Sequence, residues 1–84
     1  DHSLSIGENY TVKVGKNHAE DVGKAYAVKV KDGILIDSKK EIVIKSGSAS
    51  ITLKKNGDIE IKGKKISVKG SGDVVIKGSK ITEN

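Results

Sequence analysis

The chain is organised by a short unit in which two apolar residues flank a polar one and a glycine follows. The unit first occurs as "LSIG" at residues 4–7 and returns as "VKVG" at 12–15, a step of eight residues. Apolar residues at i and i+2 have the period of a strand and contradict the 3.6-residue period of a helix. Because glycine accepts the backbone angles of a sharp corner, the pattern predicts short strands joined by corners, with one apolar and one polar face.

The repeat covers residues 1–84 as one predicted β-helical domain, regular over 1–31 and looser over 32–84. In the regular part, three series of positions with a spacing of eight residues fall on one face: Leu4, Val12, Glu20 and Val28; Ile6, Val14, Val22 and Val30; His2, Tyr10, His18 and Tyr26. One step then shortens to six residues, between Val30 and Ile36, and later pairs are 7–9 residues apart. These later pairs are Ile34/Ile36, Ile42/Ile44, Ile51/Leu53, Ile59/Ile61, Ile66/Val68 and Val74/Ile76, with Ile81 alone at the end.

Glycine-containing stretches between the apolar pairs carry turn chemistry. They are "KDG" at 31–33, "KNGD" at 55–58 and "GSGD" at 70–73. Asn56-Gly57 is a hairpin signal that allows a local meander, but corners at a nearly constant interval favour a winding chain over a back-and-forth one. A calcium-loop interpretation of the last two stretches is disfavoured because the nonapeptide repeat that stacks carboxylates is missing.

The apolar faces predict that one chain does not fold alone. Narrow strands cannot cover such faces by themselves, and their edges stay unpaired. Two arrangements solve this: a three-sided solenoid of a single chain, or three identical chains wound about a common axis. We expect the second, an all-β intertwined triple-stranded β-helix (a triangular β-prism), because closed symmetry is common in homo-oligomers and a solenoid of this length has few turns and no evident caps.

The octads, followed by "EIVIKSGSASITLKKNGDIEIKGKKISVKGSGDVVIKGSKITEN" at 41–84, resemble the C-terminal β-helical spike of VgrG proteins of the type VI secretion system. They are also similar to the central spike of contractile-tailed phages. The resemblance implies a homotrimeric, membrane-puncturing spike that is assembled in the bacterial cytoplasm and then ejected toward a target cell. It also implies a PAAR-repeat tip protein or an effector on the C-terminal end. The chain lacks the family's upstream domains and is therefore interpreted as part of a longer protein.

Composition adds few constraints on partners. The chain has no cysteine for disulfides or thiolate metal sites, and Val and Ile supply most of its large apolar side chains. Its net charge of +5 comes from 16 lysines and no arginine, against 11 acidic residues. Specific nucleic-acid recognition relies on arginine and on aromatic stacking, so we expect no specific nucleic-acid partner. Lysines on the outer face would instead keep strand edges soluble and apart.

No catalytic set is visible, and we expect neither an enzyme nor a cofactor. Ser46, Ser48, Ser50 and Ser71 lie in turn-like or alternating polar segments without a nearby histidine. His18 and Glu20 are the one metal candidate. If they face inward, three copies of each converge on the axis and the imidazoles could hold an ion; the favoured alternative is that this octad bows outward into water.

The end of the chain is the predicted partner surface. Its candidate residues are Val74, Ile76, Ile81, Thr82, Glu83 and Asn84, because a prism that ends there exposes three strand ends to which a β-rich partner can add. The alternative function is the shaft of a trimeric adhesin or a phage tail fibre. The sequence does not decide between a secretion system and a phage.

Overall fold

The computed structural model describes residues 2–83. The chain divides into two units, Asp1–Gly33 and Ile34–Asn84. The division lies close to residue 31, where the spacing of the apolar pairs changes. Throughout the described residues the chain is extended or in strands and turns, without helix, so the predicted all-β class is confirmed. Consequently, no described segment is a helix of the kind that could cross a membrane.

The regular secondary structure is a three-stranded antiparallel sheet in the second unit. Its strands are β1 (Glu41–Ser46), β2 (Ala49–Lys54) and β3 (Ile59–Lys62), in the spatial order β1-β2-β3. The sheet is therefore a back-and-forth meander, and the winding path that the corner interval favoured is wrong for this segment. The physical reason lies in its two tight turns.

A two-residue loop joins β1 to β2, and a four-residue loop joins β2 to β3. In the first, Gly47 has φ 56° while Ser48 stays out of the positive-φ region, the φ pattern of a type II′ hairpin turn. In the second, Gly57 has φ 99° and its N–H donates to the Lys54 carbonyl at 3.0 Å. The Asp58 N–H donates to Asn56 Oδ1 at 3.1 Å, which closes an Asx turn. The "KNGD" stretch is thus a turn, as expected.

Gly57 is required by its backbone angle, and this gives a first prediction. We expect Gly57→Ala to lower the free energy of unfolding by about 1–2 kcal/mol per chain, because an L-residue at positive φ brings its Cβ against the backbone. Gly72→Ala is the control, since Gly72 lacks a positive φ and has open space around it. Urea denaturation at one fixed protein concentration measures both. Equal midpoints for the two variants would contradict the prediction.

The register of the sheet separates an apolar face from a polar one. Ile42 is opposite Leu53, and Ile44 is opposite Ile51; β2 in turn pairs with β3, with Leu53 opposite Ile59 and Ile51 opposite Ile61. Opposed residues of an antiparallel pair project to the same side. The apolar sheet face consists of Ile42, Ile44, Ile51, Leu53, Ile59 and Ile61. The prediction that these pairs share one face is confirmed.

Corners recur at an interval that is more regular than the apolar pairs. In the first unit the backbone bends at 7–8, 15–16, 23–24 and 31–32; in the second it bends or turns at 39–40, 47–48, 55–57, 64–65, 71–72 and 79. The corner interval of eight residues therefore continues past Val30 to residue 55. What changes there is the position of the pair: Val30 directly precedes its corner, whereas Ile36 lies three residues before the next bend at 39. The six-residue step is thus a shift of the pair between corners.

The described chain has no hydrophobic core. None of its residues is buried; Ile42 is half-buried, and the exposed large apolar side chains have exposed fractions between 38% and 89%. The accessible surface is 9527 Å², about twice the ~4,800 Å² expected for a folded monomer of this mass. A three-sided solenoid of one chain would bury its apolar faces inside itself, so the structure does not have that arrangement.

Candidate assembly and tip surfaces

The first unit repeats one side-chain environment in each octad. Val14, Val22 and Val30 have nearly the same exposed fractions, 46%, 46% and 48%. Tyr10 and Tyr26, two octads apart, are 63% and 65% exposed. Residues eight positions apart therefore hold equivalent places. We call the three series at these positions, from His2 to Val30, the octad stripe.

His18 and Glu20 lie on the octad stripe together with its apolar members. Tyr10, Val12, Val14, His18 and Glu20 line one open hollow of the first unit. The third octad also keeps its register, because Val22 is exposed to the same extent as Val14. His18 and Glu20 thus border the same open hollow as Val12 and Val14, and more than half of each side chain is exposed. The favoured interpretation, that this octad bows outward into water, stays a prediction.

The two polar side chains on the stripe pair with each other. His18 Nε2 and Glu20 Oε1 are 3.2 Å apart, with roughly half of each side chain exposed. Side chains at i and i+2 of an extended segment point to the same side, and both are long enough to meet. The period-2 pattern of the sequence puts both residues on one face, but it does not predict this hydrogen bond.

In the second unit, the apolar sheet face continues into the segment that follows β3. Ile44, Ile51, Ile61 and Ile66 contribute to an open hollow beside Gly63. A Cβ on Gly63 would lie 3.4 Å from Ile66 Cγ1. Together these residues form an uncovered apolar surface about three strands wide.

The polar face of the sheet carries the charged side chains. Lys62 Nζ lies 2.9 Å from Glu60 Oε1, and the hydrogen bond and positive charge of Lys62 lower the pKa of Glu60. Since the folded pKa is the lower one, this pair adds stability above the ordinary pKa of glutamate and loses it as the pH falls. Both groups are in water, so the contribution is small. This face suits a solvated exterior.

Most candidate tip residues are described, and all of these are exposed. Val74, Ile76 and Ile81 are 52–72% exposed, and Thr82 and Glu83 are exposed as well; Asn84 lies outside the described residues. After Lys62, no described residue belongs to a strand ladder. The backbone N–H and C=O groups of this segment are therefore open to pairing with another chain.

Gly70 makes the closest approach at any corner of this segment. A Cβ there would lie 2.9 Å from Val74 Cγ2, shorter than real Cβ contacts, whereas Gly72 has nothing within 4 Å. Because Val is stiff at χ1, we expect Gly70→Ala to displace Val74 and to lower the free energy of unfolding by about 1–3 kcal/mol. Gly72→Ala is the matched control two residues away. Thermal unfolding of both variants checks this, and equal melting temperatures would refute it.

The described residues of one chain do not form a metal-binding cluster. No group of three or more His, Cys, Asp or Glu side chains is close enough to hold a metal ion. Ser46 and Ser50 lie on β1 and β2, while Ser48 is in the loop between them and Ser71 in a later bend. The absence of an enzymatic activity stays a prediction.

Comparison with known proteins gives no relative: no protein-family model matches the chain, and no curated protein or solved structure is significantly similar to it.

Proposed function

We propose that the chain is a segment of a homotrimeric triangular β-prism that serves as the puncturing spike of a contractile secretion or tail machine of the VgrG type. The observation that carries the proposal is the octad stripe, which repeats with equivalent exposure in a chain that has no described buried residue. A stripe of this kind requires a partner that repeats at the same interval. A second and third copy of the same chain meet this requirement at every octad.

Three copies of the chain would cover the exposed apolar surface of each unit. In the first unit, the stripes of three chains face one another across the axis. In the second, each chain contributes its apolar sheet face to one side of the prism, and the solvated face with Lys62 and Glu60 lies outside. By threefold symmetry each inward residue meets two copies of itself.

Backbone pairing supports the same assembly. The described part of the first unit contains no strand ladder, so its N–H and C=O groups have no β partner within the unit. Neighbouring chains in a prism would supply these partners. Interchain hydrogen bonds along the shaft would make the rod stiff enough to transmit force, and puncture would then be mechanical.

The C-terminal end of the chain is the proposed partner surface. The open segment with Val74, Ile76 and Ile81 presents apolar side chains and unpaired backbone groups. A PAAR-repeat tip protein or an effector is the occupant that the resemblance to VgrG spikes implies, and β-strand addition is the mode that fits the exposed strand ends.

The molar mass in solution tests the assembly. Light scattering on the purified chain should give three times the 8.9 kDa of one chain. A monomer with a cooperative unfolding transition would contradict the proposal, because a single chain would then have found a core of its own.

The second candidate is the shaft of a trimeric adhesin or phage tail fibre, which shares the need for a repeating partner. A shaft that binds a cell-surface ligand is expected to bind glycans and to ignore tip proteins. Glycan-array binding without PAAR binding would favour the adhesin, and the reverse result the spike.

A further inference from the structure

We infer that His18 is a ligand of a divalent transition-metal ion of the Zn²⁺ class, held on the axis of the trimer, and that Glu20 orients the imidazole ring. The inference rests on the proposed function, because the described residues of one chain provide no group of three ligands. The site is incomplete without the other two copies. The complete site exists only in the assembly of three chains; each chain contributes one histidine and its hydrogen-bonded carboxylate.

The position of His18 is the first argument. It lines one hollow with Tyr10, Val12 and Val14, which are members of the stripe that faces the axis in the proposed prism. A side chain directed at a threefold axis is met there by its two symmetry copies. Three imidazoles at one level are a ligand set that Zn²⁺ accepts, with the fourth position open to water.

The hydrogen bond to Glu20 is the second argument. An ionised carboxylate only accepts hydrogen bonds, so His18 Nε2 is the donor in the 3.2 Å contact with Glu20 Oε1. In the neutral ring, Nδ1 then carries the free lone pair. Metal-binding histidines are held in this way, with the second ring nitrogen donating to a carboxylate that fixes tautomer and orientation. The pair is thus already arranged for metal binding in one chain.

Charge is the third argument. Glu20 occupies a position that holds Val12 and Val28 in the neighbouring octads. Three carboxylates at an otherwise apolar axis repel one another and lose hydration. A divalent cation bound by the adjacent imidazoles offsets this negative charge. Glu20, which interrupts the apolar series, then has a function, and it lies two residues after His18.

The experiment measures zinc in the 84-residue chain after equilibration with ZnCl₂ and dialysis. We expect about one Zn²⁺ per three chains, the stoichiometry of an axial site with one ligand from each chain. His18→Tyr should abolish binding while preserving the stripe, because the same series has Tyr10 and Tyr26. His2→Tyr is the matched control: it removes the other histidine of the series, which is followed by Leu4 instead of a carboxylate, and it should keep the zinc.

Glu20 is tested separately as a positioning residue. Glu20→Gln should weaken zinc affinity by about 10–100-fold, the usual effect of losing such a partner. Glu20→Val restores the apolar series, so it should raise the melting temperature of the zinc-free protein and also weaken zinc binding. A purely structural role for Glu20 would leave zinc affinity unchanged in both variants.

Light scattering on the same samples separates the two proposals. A trimer that retains no zinc, or one whose zinc content is unchanged by His18→Tyr, overturns the metal site and leaves the spike standing. A monomer without zinc overturns both. One zinc ion per trimer that is lost in His18→Tyr and kept in His2→Tyr supports the inference.

Discussion

Replacing Val14 with aspartate is expected to convert the trimer into separate, unfolded chains at micromolar concentration. Val14 lies on the octad stripe and is half-exposed in one chain, so the proposed trimer buries three copies of it together. Removing them forfeits about 5–9 kcal/mol per trimer at 1.5–3 kcal/mol for each buried side chain. The three carboxylates add a desolvation penalty of several kcal/mol each. This exceeds the stability of a typical domain.

Lys13→Asp is the matched control for this prediction. Lys13 is adjacent in sequence, but alternation along an extended segment puts it on the opposite, solvated face. It should leave the molar mass unchanged, although the two variants introduce the same side chain. Light scattering and far-UV circular dichroism on both proteins make the comparison. If Val14→Asp still gave a mass of three chains, the octad stripe would not be the interface.

The corners of the fold were predictable from the sequence because glycine marks them. Gly7, Gly15 and Gly23 each begin a bend of the backbone, at the predicted interval. The path of the chain between corners was harder to predict. The same spacing serves a winding chain and a meander, and the choice over 41–62 depends on turn geometry. Gly47 at φ 56° makes a tight reversal between β1 and β2, and "SGS" is a weaker hairpin signal than Asn56-Gly57.

The stripe was predictable for a similar reason, whereas the hydrogen bond between its two polar members was not. Period-2 alternation placed His18 and Glu20 on the apolar side whichever way the octad was oriented. The expectation that they bow into water came from the high cost of buried charge. In the structure of one chain both side chains keep more than half of their surface in water and hydrogen-bond to each other, so neither group is buried and the expectation stays a prediction.

The number of chains in the assembly is not specified by the sequence pattern or by the structure of one chain. Sequence periodicity and single-chain exposure both report that a face needs covering, and both are properties of one chain. Neither property specifies the symmetry rotation that relates one copy of the chain to the next. Symmetry and strand geometry favour three, and a direct mass measurement decides it.

Deleting residues 79–84 is expected to abolish binding of a PAAR-repeat protein while leaving the trimer assembled. The deletion removes Ile81 and the three residues that follow it, and with them the strand ends to which a β-rich partner would add. Losing an apolar anchor and a few main-chain hydrogen bonds from each chain costs more than about 3 kcal/mol in total, or at least ~100-fold in affinity. The octad stripe and the apolar sheet face lie upstream of the deletion and should hold three chains together.

The binding measurement is a titration of the trimer with a PAAR-repeat protein encoded in the same genome, followed by calorimetry. Ile81→Asp provides a second variant that removes only the apolar anchor and keeps the chain length. Lys13→Asp, on the solvated face of the first unit, is the control: it should keep the mass of three chains and bind as tightly as the intact protein. Unchanged affinity in a truncated chain that is still trimeric would place the partner surface elsewhere on the shaft. Loss of binding in both C-terminal variants, with the mass of three chains retained, would locate the surface at the strand ends, because no upstream residue changes in either protein.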